Sequence, residues 1–174
     1  MHRAGARSAP LNLSIFNVLP WIEWVAASRL GQAISTSTWA FAVIESIHLL
    51  ALALIGGAVV MVDLRLLGFG LRTQPIDKLA RDAWPWFVGG WFAMIVSGVL
   101  LFVSEPLKLY YSTPFFWKMT CLLLGTLFVV SVRRKVTLSG EGRTPPVVLK
   151  LVGAVSLLLW FGVGASGRWI GFAG

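Results

Sequence analysis

The sequence predicts an all-α integral membrane protein, a four-helix bundle with an N-terminal amphipathic helix lying in the interface. Three observations lead there. Of 174 residues, 57% are hydrophobic and only 13% charged, whereas about a quarter of the residues in an average soluble domain carry charge. Four apolar runs are long enough to cross a hydrocarbon core, which takes about 20 residues at 1.5 Å each. The basic residues gather in the connections between those runs.

The N-terminal segment, 1–19, is basic at its start, and Asn12 and Asn17 interrupt what a cleaved signal peptide would need as an unbroken apolar core. No cleavage is expected. A single membrane domain should fill 20–174. Over 20–34, Pro20 suits a first helical turn, and Trp21 and Trp24 alternate with Glu23, Ser28, Arg29 and Gln32. That stretch is too polar to span, which places it at headgroup level. Ser35, Thr36, Ser37 and Thr38 offer hydroxyl caps for the first span, expected over about 36–67 and ending at Gly68 and Gly70.

The second span is expected over 84–104, with Pro85 in its first turn and Pro106 forcing Glu105 out of helical geometry. Gly89, Ala93 and Ser97 recur every fourth residue as a small-residue packing face. Thr113-Pro114 and Thr144-Pro145 read as start signals for spans over 114–132 and 146–167. Arg133-Arg134-Lys135 closes the third span and Gly140 and Gly142 break the chain after it. Seven tryptophans, Trp21, Trp24, Trp39, Trp84, Trp86, Trp117 and Trp169, fall at expected helix ends, where an interfacial belt would hold them.

Fifteen Lys and Arg against seven Asp and Glu give a net charge of +8. Nucleic acid is not the expected partner, because the cations are not arrayed on a soluble face; the lipid bilayer is. Arg65, Arg72, Lys78, Arg81, Arg133, Arg134, Lys135, Arg143 and Lys150 lie in the two connections on one side of the bundle. The positive-inside rule puts that side in the cytoplasm, hence both termini in the periplasm of a bacterial inner membrane. Small-residue faces leave a homo-oligomer or a larger membrane complex open. A single cysteine, Cys121, excludes an intrachain disulfide.

The candidate site lies inside the first span. Glu45 and His48 are about 60° apart on a helix and one turn from each other. Ionisable groups in a span generally face a partner, a cavity or a ligand. Lys118 enters the third span, and Arg168 leaves the fourth, on the same side, so Glu45, His48, Lys118 and Arg168 are expected to line a polar pocket open to the periplasm. Asp63 and Arg65 read as headgroup anchors for the helix end.

Three chemistries suit that pocket. His48 can ligate haem b, with Glu45 orienting the ring and Lys118 or Arg168 pairing with propionates. His48 with Met94, Met119 and Cys121 is a soft donor set suited to Cu(I). A Glu45–His48 proton relay would serve transport. Against these stands an equally weighted alternative with no cofactor, in which Glu45 is the internal counter-ion of Lys118 or Arg168. The residues do not say whether the protein is an enzyme.

The segments ESIHLLALALIGGAVVMVDLRLLG, WPWF, SGVLLF, TPFFWKM and WFGVGASGRWIGF resemble a family of bacterial four-helix membrane proteins of unknown function. More remotely, a histidine in the first core helix and a lysine early in the third are similar to copper-resistance D-like membrane proteins and to the bacterial membrane-bound protoporphyrinogen oxidase. That second resemblance implies a porphyrin or haem b pocket near His48 and Lys118.

Overall fold

A computed structural model describes residues 18–70, 73–139 and 142–172. The expectation about signal cleavage falls mostly on residues 1–17, outside the described residues, as do Arg72 and Gly140. All the regular structure among the described residues is helical: α1 (Leu19–Ala26), α2 (Arg29–Thr36), α3 (Thr38–Leu67), α4 (Ile76–Ser104), α5 (Pro106–Tyr110), α6 (Thr113–Phe128), a π-helical turn (Val129–Arg133), α7 (Arg134–Leu138) and α8 (Pro146–Ile170). From α6 through α7 the helix is continuous, Thr113–Leu138, and together with α3, α4 and α8 it makes four helices long and apolar enough to cross a membrane.

Local chemistry accounts for most of the boundaries. Ser37 accepts a hydrogen bond from Ala40 N at 3.2 Å and starts α3. Gly68, at φ +87°, stops it: Gly68 N donates to Arg65 O and Phe69 N to Leu64 O, a left-handed cap that glycine adopts without a Cβ penalty. Glu105 leaves the helical region (φ −135°, ψ 51°) ahead of Pro106, so α4 ends where proline requires.

Three boundaries differ from expectation, and in one of them the third span runs on through Arg133-Arg134-Lys135 to Leu138 instead of closing at 132. The interfacial helix over 20–34 is two helices, because Ser28 is extended and its hydroxyl accepts from Gly31 N at 3.1 Å, capping α2 afresh. This pair packs on the bundle: Ile22, Val25 and Ile34 are buried, and a Cβ on Gly31 would come 2.5 Å from Val103 O of α4. The second span begins eight residues before Trp84, so Pro85 sits inside α4. Ile76, Leu79 and Ala83 bury one face of those added turns and outweigh the helix-breaking tendency of the proline.

Within the bundle α3 packs along both α4 and α8, α6 packs along α8, and α7 closes against α4. Helices α3 and α4 approach closely at Gly90, where a Cβ would meet Ile55 Cγ1 at 2.9 Å. Gly89, the expected contact, is exposed with no neighbour. The core is a narrow column of Ala51, Ile55, Val59, Val62, Phe87, Met94, Val129, Trp160 and Val163. Large apolar side chains such as Leu50, Phe92, Leu158 and Phe161 are at least two-thirds exposed. Such a surface suits lipid as solvent and would drive association in water.

Candidate functional site

Two polar centres interrupt the apolar column, one toward each end. The first is built on α3, α4 and α6. His48, on the buried stripe of α3, is only 9% exposed. Its Nδ1 lies 2.9 Å from Ser97 Oγ of α4 and its Nε2 lies 3.1 Å from Lys118 Nζ of α6. An ammonium has only donors, so a charged Lys118 makes Nε2 the acceptor. Nδ1 then carries the imidazole proton and donates to Ser97, whose hydroxyl donates to Ala93 O at 2.7 Å. The result is a one-way chain of donors across three helices. Gly98 leaves room for the ring, since a Cβ there would sit 3.3 Å from His48 Cε1.

Glu45 and Arg168, the other two residues expected to line the pocket, do not join. Glu45 is exposed, and no described residue forms an ion pair or side-chain hydrogen bond with it. The expected ion pair of Glu45 with Lys118 or Arg168 is therefore not formed. Its place on the flank of the stripe explains this, because a 60° offset is enough to turn a side chain out of a narrow contact. Arg168 is exposed too, with its guanidinium 4.5 Å from the Phe172 ring centroid. Met94 is buried on α4, Met119 is 45% exposed, and Cys121 rests against Gly162 of α8. Among the described residues no group of three or more His, Cys, Asp or Glu gathers as a metal site would require.

The second centre was not expected from sequence. Asp63, read as a headgroup anchor, is completely buried, and Arg133 Nε lies 2.7 Å from its Oδ1 in an ion pair whose side chains are 8% and 0% exposed. The contact is ionic rather than a well-directed hydrogen bond. Arg133 Nη2 also donates to Val59 O at 3.3 Å, and buried Ser156 of α8 faces the carboxylate. Geometry supplies the reason that Arg133 is inside. Gly125, Val129, Arg133 and Thr137 are all buried, and in an α-helix each step of four drifts by about 40°. The wide turn Val129–Arg133 takes up that drift and keeps the four on one face. A sequence signal did exist: Ile55, Val59, Asp63 and Leu66 follow one another at steps of four, four and three, the spacing of one apolar helix face.

Residues 21–173 match a family described as a family of unknown function, DUF6644. The chain belongs to this family. No curated protein and no solved structure matches it. DUF6644 membership carries no assigned chemistry, so the reaction or ligand must be argued from the two centres.

Proposed function

We propose that this DUF6644 protein is a membrane-embedded binding subunit that holds an acidic cofactor at the Lys118–His48–Ser97 centre. One observation carries the reading: Lys118 places an ammonium between spanning helices, and its one hydrogen-bonded partner among the described residues is an imidazole rather than a carboxylate. A cation at that depth is costly unless something of opposite charge accompanies it. A ligand carboxylate satisfies that need, and a porphyrin carries such groups on an otherwise apolar body suited to the surrounding aromatic and aliphatic side chains.

Haem b ligated through His48 fits less well. Both ring nitrogens are engaged, Nδ1 by Ser97 and Nε2 by Lys118, so neither is free for iron. What these residues fit is an acid held by Lys118, with His48 fixing the ammonium and Ser97 fixing the tautomer.

The test is the cofactor content of protein purified from its membrane. An acidic chromophore or other acidic small molecule should copurify, be lost in Lys118→Met and be kept in Arg168→Gln. A Soret band that depends on His48 but survives Lys118→Met would overturn this assignment in favour of iron ligation. The satisfied ring nitrogens also favour a second reading, a purely structural clamp among α3, α4 and α6. A ligand-free preparation in which Lys118→Met changes only thermal stability would establish it.

A further inference from the structure

A cavity of about 110 Å³ opens beside the Asp63–Arg133 pair, where α3, α4, the π-helical turn and α7 meet. Its walls divide by chemistry. Trp84, Phe87 and Val129 are apolar, while Arg81, Arg133, Arg134 and Thr137 are polar. Two of the three arginines have carboxylate partners, Arg81 with Asp77 and Arg133 with Asp63. Arg134 has none among the described residues; its guanidinium lies 4.0 Å from the Trp84 ring centroid, which fixes it at the cavity rim. Arg133, 93% buried by its 7% exposure, spends Nε on Asp63 and Nη2 on Val59 O, and no described residue accepts from its Nη1. Three cations against two carboxylates leave the wall with a net positive charge.

Size and location restrict the ligand. Drug-sized molecules occupy roughly 300–1,000 Å³, so this cavity admits only a small anionic group. It lies at the end of the bundle where the cationic connections gather, at the depth where α4 passes from charged Asp77 and Arg81 to the apolar run beginning at Trp84. Basic pockets between spanning helices on the cation-rich side are suited to anionic lipid headgroups.

We infer that this cavity is a binding site for the headgroup phosphate of an anionic phospholipid. Arg134 and Arg133 hold the phosphate, and Trp84 and Phe87 form the apolar wall beside it. Guanidinium suits the task because its planar fork can give two donors to one phosphate. The π-helical turn is what brings Arg133 and Arg134 to the same cavity, and wide turns of this kind occur frequently at functional sites. The inference is independent of the Lys118 centre.

Native mass spectrometry of protein released from nanodiscs of equal phosphatidylglycerol and phosphatidylcholine tests it. Wild type should retain one phosphatidylglycerol preferentially. Arg134→Gln, at an exposed side chain whose loss leaves the buried pair intact, should lower that retention about fivefold, the equivalent of roughly 1 kcal/mol per basic residue. Lys150→Gln, an exposed cation at the same end and outside the cavity, should leave it unchanged. Equal retention of the two lipids, or an equal effect of both variants, would overturn the site in favour of diffuse surface attraction. Displacement of the retained lipid by millimolar inorganic phosphate would overturn it in favour of a free-phosphate site.

Discussion

The two polar centres answer the same physical problem in opposite ways. At the Asp63 centre a carboxylate and a guanidinium cancel each other inside the protein. At the Lys118 centre the one hydrogen-bonded partner of the amine among the described residues is the His48 ring, with no described carboxylate beside it. A buried group whose opposite charge is part of the chain holds helices in register, and removing one partner strands the other. A buried cation with no carboxylate partner among the described residues is where an acidic ligand is proposed to bind. On that difference rests the reading of the first centre as a structural lock and of the second as the proposed binding site.

The largest expected effect separates them most sharply. Asp63→Ala leaves Arg133 buried without its counter-ion and should cost about 3–5 kcal/mol, read as thermal unfolding in lipid micelles. Asp63→Leu combined with Arg133→Met should recover most of that loss. A single variant that unfolds no earlier than wild type would mean the pair is not the lock described.

Adding one methyl group at each centre refines the contrast. At Gly153 a Cβ would come 2.9 Å from Asp63 O, a backbone atom that cannot turn aside. Gly153→Ala should therefore destabilise by about 1–3 kcal/mol. At Gly98 the obstacle is the His48 ring at 3.3 Å, a side chain able to shift. Gly98→Ala should unfold close to the wild-type temperature while altering retention of any bound cofactor. Equal destabilisation by the two would erase the distinction between a rigid centre and an adjustable one.

Smaller effects test the hydrogen-bond chain itself. Ser97→Ala deletes the partner of His48 Nδ1 and should cost about 0.6 kcal/mol, the average for a side-chain hydrogen bond between spanning helices. Glu45→Gln should leave the melting temperature unchanged, since no described residue pairs with Glu45. A larger loss from Glu45→Gln than from Ser97→Ala would place a partner on Glu45 and bring it back into the centre.

These particulars show what the linear sequence made legible. Helix count and caps at Ser37, Gly68 and Pro106 could be read because they depend on local chemistry: apolar run length, a hydroxyl, a missing Cβ, a missing N–H. His48 with Lys118 was legible as two ionisable groups entering from one side. Glu45 was not, because whether a flanking position is covered depends on how wide the neighbouring helix is, and no local pattern records that. Asp63 was hidden by its position at the end of an apolar run, where anchors are common, and Arg133 by its membership of an Arg-Arg-Lys cluster. Pro85 misled for the opposite reason: a strong local signal was overridden by the burial of Ile76, Leu79 and Ala83.

The wide turn at Val129–Arg133 makes this end of the protein depend on chain length as well as on residue identity. Removing one residue there, Val130 for example, keeps every charged side chain yet returns the turn to ordinary α-helix, in which Val129 and the arginine now three residues on lie about 60° apart. Arg133 would then turn away from Asp63, and Arg134 from Trp84. A length change of that kind, made without touching a single polar group, would weaken both the lock and the cavity together.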